Sequence, residues 1–242
     1  MLTLAAAVLL LSACGGPGYS STRGARIARE TESGNLVHQD LHPIEVVPRI
    51  HGRWELVLLH GRGAGPEQFL SQPFFDTLAA LGKRAPIVFL LDGGDHSYWH
   101  NRADGDWGLV VQQAETPLRS DWPVAIGGIS MGGYGALLAS ARSLHFCATA
   151  VMSPALWTSA GATAPGAFDD AEDYAKNDVF KLLKPPSPLW IAIGTSDPFH
   201  DATLTYARQA GVTAHVSPGG HDSTFWNAHI GALLRFAAHA CA

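Results

Sequence analysis

From about residue 36 the chain alternates between short apolar runs and longer stretches of helical periodicity. The short runs read as strands: Leu36 to Val47 (one strand or two), Trp54 to Leu59, Pro86 to Leu91, Val124 to Ile129, Ala148 to Met152, Leu189 to Ile193 and Thr213 to Val216. The longer stretches read as helices over Pro66 to Leu81, Val110 to Ser120, Met131 to Ala141, Asp170 to Lys181, Ala202 to Ala210 and Thr224 to Ala240. Apolar strands separated by helices imply a mostly parallel sheet covered on both faces, a doubly wound α/β architecture. In such sheets ligands bind beyond the carboxyl ends of the strands, so the residues that follow strands are where chemistry is expected.

Ser130 occupies such a position, in the run Gly128-Ile129-Ser130-Met131-Gly132 between the strand from Val124 and the helix that carries Tyr134 to Ala139. Strand, tight turn and helix around GxSxG are the setting of a nucleophile elbow. The turn is so sharp that a Cβ at Gly128 or Gly132 would clash, and it presents the serine at a helix N-terminus, where free amides favour developing negative charge. The alternative is a Gly-rich strand-to-helix turn capped by a serine.

A serine hydroxyl needs a base, and the base needs a third group to hold its tautomer. Of the 12 histidines, His221 closes the turn-rich Ser217-Pro218-Gly219-Gly220 after a late strand and opens the last helix. His229 and His239 fall inside that helix, and His200 and His215 compete more weakly. The order nucleophile, acid, histidine selects Asp197 in Gly194-Thr195-Ser196-Asp197-Pro198-Phe199, with Asp201 as the substitute. Two backbone donors are expected for an oxyanion: the amide of Met131, and that of Arg62 (or else Gly63) in His60-Gly61-Arg62-Gly63-Ala64-Gly65. That loop lacks both a phosphate-loop ending and a GxGxxG pattern, so no nucleotide cofactor is expected.

Composition narrows the partners. Over 242 residues, 47% are hydrophobic and 15% charged, enough for one substantial core, and a net charge of −5 without a basic cluster argues against nucleic acid. Residues 1–13 read as a signal peptide: Met1 to Leu11 is apolar apart from Thr3 and too short to span a bilayer as a helix. Its ending, Leu11-Ser12-Ala13-Cys14, resembles a lipobox, which would make Cys14 the lipidated mature N-terminus; an ordinary signal peptide cleaved near Ala13 is the alternative. Export follows from both, with the membrane reached only through the anchor. Residues 14–35 read as a flexible tether and 36–242 as the catalytic domain. Cys147 and Cys241 then either pair or stay free.

Together these motifs resemble the esterase family that includes esterase D (S-formylglutathione hydrolase), feruloyl esterase domains and the secreted mycolyltransferases. The likeness runs over most of residues 55–230. It rests on His60-Gly61-x-Gly63, Asp92-Gly93-Gly94 with Ser97-Tyr98-Trp99, Gly128 to Gly135, Ser153-Pro154-Ala155-Leu156, Asp197-Pro198-Phe199, and Gly219-Gly220-His221-Asp222 with Phe225-Trp226. The resemblance implies an α/β-hydrolase fold and a metal-independent acyl hydrolase or acyl transferase with Ser130, Asp197 and His221 as its triad. Trp157 to Pro185 would form only a minimal lid. Tyr98, Trp99 and Trp107, just beyond a strand end, are candidate substrate-binding residues, with an ordered surface loop as the alternative. The leading expectation is a serine esterase acting on a small-molecule ester; the others are an acyltransferase and an inactive, surface-anchored binding protein.

Overall fold

The computed structural model describes residues 25–29, 43–108, 110–111, 121–143, 145–183 and 188–242. Its centre is two strands buried along their whole length, β3 (Glu55–Leu59) and β7 (Val124–Ile129). The others are β1 (Ala25–Arg29), β2 (Ile44–Pro48), β4 (Ile87–Leu91), β5 (Asn101–Arg102), β6 (Gly105–Asp106), β8 (Phe146–Met152), β9 (Leu189–Gly194) and β10 (His215–Ser217). Eight of them form one sheet in the order β1-β2-β4-β3-β7-β8-β9-β10, with β5 and β6 a separate small hairpin. The pairs from β4 through β10 are parallel, and β2 runs antiparallel to both β1 and β4.

A strand apolar on both faces needs a helical layer on each. Along β3, Leu56 and Leu58 enter one core while Val57 and Leu59 enter the other, because successive side chains alternate across the sheet. The helices α1 (Gln72–Leu81) and α5 (Ser223–Cys241) cover the Leu56 face, with Phe74, Leu78, Leu233 and Leu234 buried there. The opposite face takes α2 (Met131–Arg142) and α4 (His200–Gln209), through Tyr134, Leu137, Leu138 and Tyr206. A short helix, α3 (Ala171–Lys176), lies in the excursion between β8 and β9.

Several elements differ from the sequence reading. The stretch Pro66 to Leu81 is not one helix: a 3-10 turn at Pro66–Phe69 ends before Ser71, whose extended backbone precedes α1, and Pro73 suits the first turn of the new helix. The helix expected over Asp170 to Lys181 stops at Lys176, where Asn177 donates its side-chain amide back to the Asp173 carbonyl at 2.8 Å. β1 lies inside the 14–35 segment expected as a tether, with Ala25 opposite Pro48 and Arg29 opposite Ile44. Residues 1–13, Cys14, most of the Val110 to Ser120 helix and the Leu36 end of the first expected strand lie outside the described residues. Cys147 and Cys241, left open by the sequence, are joined as a disulfide between β8 and the last turn of α5, their Cα atoms 5.6 Å apart.

Candidate active site

The turn after β7 puts Ser130 at φ 55°, ψ −114°, a conformation that L-residues rarely hold. Close approach makes it possible: a Cβ on Gly132 would overlap the Leu59 carbonyl, and one on Gly128 would overlap the Gly132 backbone. Three backbone bonds then fix the elbow. Ser130 N–H donates to the Met152 carbonyl (3.1 Å), and the Ser130 carbonyl accepts from Tyr134 N–H (2.9 Å) and Ala155 N–H (3.0 Å). The Ser153-Pro154-Ala155 run, carried by β8, thus braces the serine from the neighbouring strand.

The base and the acid arrive from the next two strands. Asp197 follows β9 in a turn closed by its own N–H to the Gly194 carbonyl (3.2 Å), and Ser196 N–H donates to the Gly219 carbonyl (2.9 Å), lacing that turn to the loop after β10. Asp222 caps α5, accepting from Thr224 and Phe225 amides at 2.9 and 3.1 Å, so the residue just before it is held at a fixed point. That residue is His221. Its Nδ1 is 2.9 Å from Asp197 Oδ2 and its Nε2 is 2.8 Å from Ser130 Oγ. An Nδ1–H donating to the carboxylate leaves the Nε2 lone pair facing the hydroxyl proton, the tautomer a general base requires.

Asp197 is 4% exposed, and burial alone would raise its pKa. Hydrogen bonds from His221 and from Phe199 N–H outweigh that effect, and the carboxyl sits below its ordinary value. The substitute Asp201 is fully exposed and pairs with His200 at 2.9 Å, away from His221. His229 is tied to Ser217 Oγ (3.0 Å) and the Phe225 carbonyl (2.8 Å), linking β10 to α5.

The expected oxyanion loop runs against Ser130: a Cβ added at Gly61 would stand 3.4 Å from the Ser130 Cβ. His60, wholly buried, organises the loop. Its Nδ1–H donates to the Gly61 carbonyl (2.9 Å) and its Nε2 accepts from Gly93 N–H (3.0 Å), while Gln68 Oε1 accepts from Gly61 N–H (2.8 Å). In a trans peptide the Gly61 carbonyl and the Arg62 N–H point in opposite directions, so fixing one aims the other. Neither the Arg62 amide nor the Met131 amide in the first turn of α2 has an acceptor among the described residues.

The three aromatic residues expected to bind substrate separate here. Trp99, 2% exposed, fills the space between Gly93 and Gly135 and donates its ring N–H to the His60 carbonyl (3.3 Å); it is a packing residue beneath the site. Trp107, 3% exposed, sits in the core with Val110 and Val111 and donates to Asp104 (3.2 Å), so the substrate-facing role does not fit it either. Both are pulled inward because a large apolar ring gains more by burial than by lining a wet rim. Tyr98 is also buried, yet it begins an aromatic series that reaches His221: Tyr98–Trp157 5.5 Å, Trp157–Phe199 5.4 Å, Phe199–His221 5.2 Å and His221–Trp226 5.3 Å between ring centroids. Trp157, Phe199 and Trp226 were not singled out as site residues in the sequence. Only the Phe-Trp pair after His221 and the aromatic after Asp197-Pro198 could have marked two of them.

No protein-family model matches the chain, and no curated protein matches it in sequence. Solved structures do. A ferulic acid esterase superimposes with a TM-score of 0.73 at 18% identity, covering 90% of this chain and 99% of its own. The fold is that of the α/β-hydrolases. An S-formylglutathione hydrolase from Agrobacterium tumefaciens gives 0.70 at 14% identity, covering 93% and 98%, and brefeldin A esterase, a bacterial homologue of human hormone-sensitive lipase, gives 0.65 at 17%, covering 95% and 80%. Within the α/β-hydrolase fold, the turn after β7, the turn after β9 and the loop after β10 converge at one end of the sheet, the carboxyl ends of the strands.

Proposed function

We propose that this chain is a serine esterase that hydrolyses carboxylic esters through an acyl-enzyme on Ser130. The observation that carries the reading is the unbroken line from Asp197 through His221 to Ser130, with bonds of 2.9 and 2.8 Å, beside two backbone amides that have no acceptor among the described residues. His221 Nε2 takes the Ser130 proton as Oγ attacks the ester carbonyl. The Arg62 and Met131 amides receive the oxygen that becomes negative, a stabilisation worth about 3–4 kcal/mol per donor in comparable sites. The imidazolium, held by the Asp197 carboxylate, gives its proton to the departing alcohol, and a water deprotonated by the same nitrogen releases the acid. The test is a fluorophosphonate probe on folded protein. Labelling that maps to Ser130 and is lost on His221→Ala is expected; a protein that turns over no ester and takes no label would sink the reading.

We also propose that the protein is exported and held at the cell envelope by a lipid on Cys14. The apolar Met1 to Leu11 stretch and its Leu11-Ser12-Ala13-Cys14 ending support this.

A further inference from the structure

Three loops meet at the amino end of the parallel strands, opposite the turns that carry Ser130, Asp197 and His221. The loop 49–53 leaves β2 at that end because β2 runs antiparallel to β4. Gly52 N–H donates to the Ala85 carbonyl (2.8 Å) and Trp54 donates its ring N–H to the Arg84 carbonyl (3.0 Å), which joins it to 83–85 before β4. Glu55 N–H donates to the Pro123 carbonyl (2.9 Å) and brings in 121–123 before β7. The His51 and Trp122 rings lie 6.1 Å apart, and the Arg53 guanidinium stands 5.8 Å from the centre of the Trp122 ring.

The charges at this end are mostly of one sign. Arg49, Lys83 and Arg84 are exposed and have no acidic partner among the described residues. Of the acids beside them, Asp121 is paired with Arg53 at 3.1 Å and Glu55 is buried. The exposed acids Asp95, Asp201 and Asp222 stand at the carboxyl end instead. A chain of net charge −5 is repelled by an anionic surface as a whole, so the separation of charge decides which end approaches one. Ile50, 58% exposed, belongs to the same basic loop as Arg49. Cations flanking an exposed aliphatic side chain and a tryptophan are what the boundary between lipid headgroups and hydrocarbon accommodates.

The path of the chain points the same way. Ala25, the first residue of β1, lies opposite Pro48, so the chain enters the sheet beside Arg49. Ten residues separate Ala25 from Cys14, a reach of at most about 40 Å. A lipid on Cys14 therefore draws this end toward the bilayer.

We propose that the amino end of the sheet is a membrane-facing surface for anionic phospholipid, seated through Arg49, Ile50, Lys83, Arg84 and Trp122, with Ser130 at the opposite end turned toward solvent. The direction of approach rests on the lipid proposed at Cys14; the chemistry of the surface does not.

Hydrogen exchange tests it, on the protein as cells process it, with vesicles of phosphatidylcholine alone or with about 30% phosphatidylglycerol. The amides of 49–53 and 83–85 should be protected on the anionic vesicles only, and raising salt from about 20 to about 500 mM should remove the protection. The loops that carry Arg62 and His221 should exchange alike on both. Changing Lys83→Glu together with Arg84→Glu should lower the protection by about tenfold or more, since each surface cation is worth about fivefold in affinity for anionic lipid. Turnover of a soluble ester should be unchanged in that variant. Equal protection on both kinds of vesicle, or none on either, overturns the surface. Binding by a protein that carries no lipid, if it still requires anionic lipid and both cations, upholds the surface while the Cys14 anchor falls.

Discussion

Ser130 Oγ and His221 Nε2 lie 2.8 Å apart although 91 residues separate them in the chain. Neither residue could reach the other without β8, β9 and β10 being laid down in parallel between the two turns.

On the proposed mechanism that contact makes the two residues one unit. Ser130→Ala and His221→Ala should each lower kcat by about 10⁴- to 10⁶-fold, and the double variant should fall little further, since nothing remains for the second deletion to remove. Steady-state rates on a chromogenic ester, with circular dichroism to confirm folding, measure this. Losses that multiply in the double variant would mean that the two act separately.

The acid is decided by a comparison of two carboxylates four residues apart. Asp197→Asn keeps shape but loses charge and tautomer control, at a cost of up to about 10⁴-fold in the serine-protease template, whereas Asp201→Asn removes a solvent-exposed group and should leave the rate nearly unchanged. The reverse order would assign the acid to Asp201.

Asp197 also leaves a mark on stability. Its folded pKa lies below the ordinary value, so the unfolded chain binds more protons in that range and stability rises with pH. The contribution is present above the ordinary carboxylate pKa and is lost as pH falls through the lower native value. Urea unfolding between about pH 5 and pH 2 should show a steeper decline for the wild type than for Asp197→Asn, and equal slopes would contradict the low pKa.

The disulfide closes 94 residues and fastens the end of α5 to β8. Replacing Cys147 and Cys241 by Ala should cost about 2–5 kcal/mol, which for a chain of this size lowers Tm by about 5–15 °C. Thermal unfolding with and without reductant gives the comparison, and an unchanged Tm in both would mean the thiols do not pair in solution.

Changing Cys14 to Ser should release the protein from the membrane fraction, because a lipid chain can be attached only through the thiol. Membrane association that survives the change would discard the anchor.

How much of this was legible beforehand follows from the range of the interactions. The alternation of strands and helices, the elbow at Gly128 to Gly132 and the order Ser130, Asp197, His221 are local patterns or simple sequence orders, and the structure has them in place. Sequence alone determined that an α/β sheet would form and which turns would end at the carboxyl edge of it, because backbone sterics and apolar periodicity act over a few residues. Only the tertiary structure decided that Trp99 and Trp107 turn inward while Phe199 packs against His221 and Trp157 against Phe199, that His60 and Gln68 hold the loop at Gly61, and that Cys147 meets Cys241. Each of these depends on which distant segment the packing brings alongside, and short-range pattern carries no record of that.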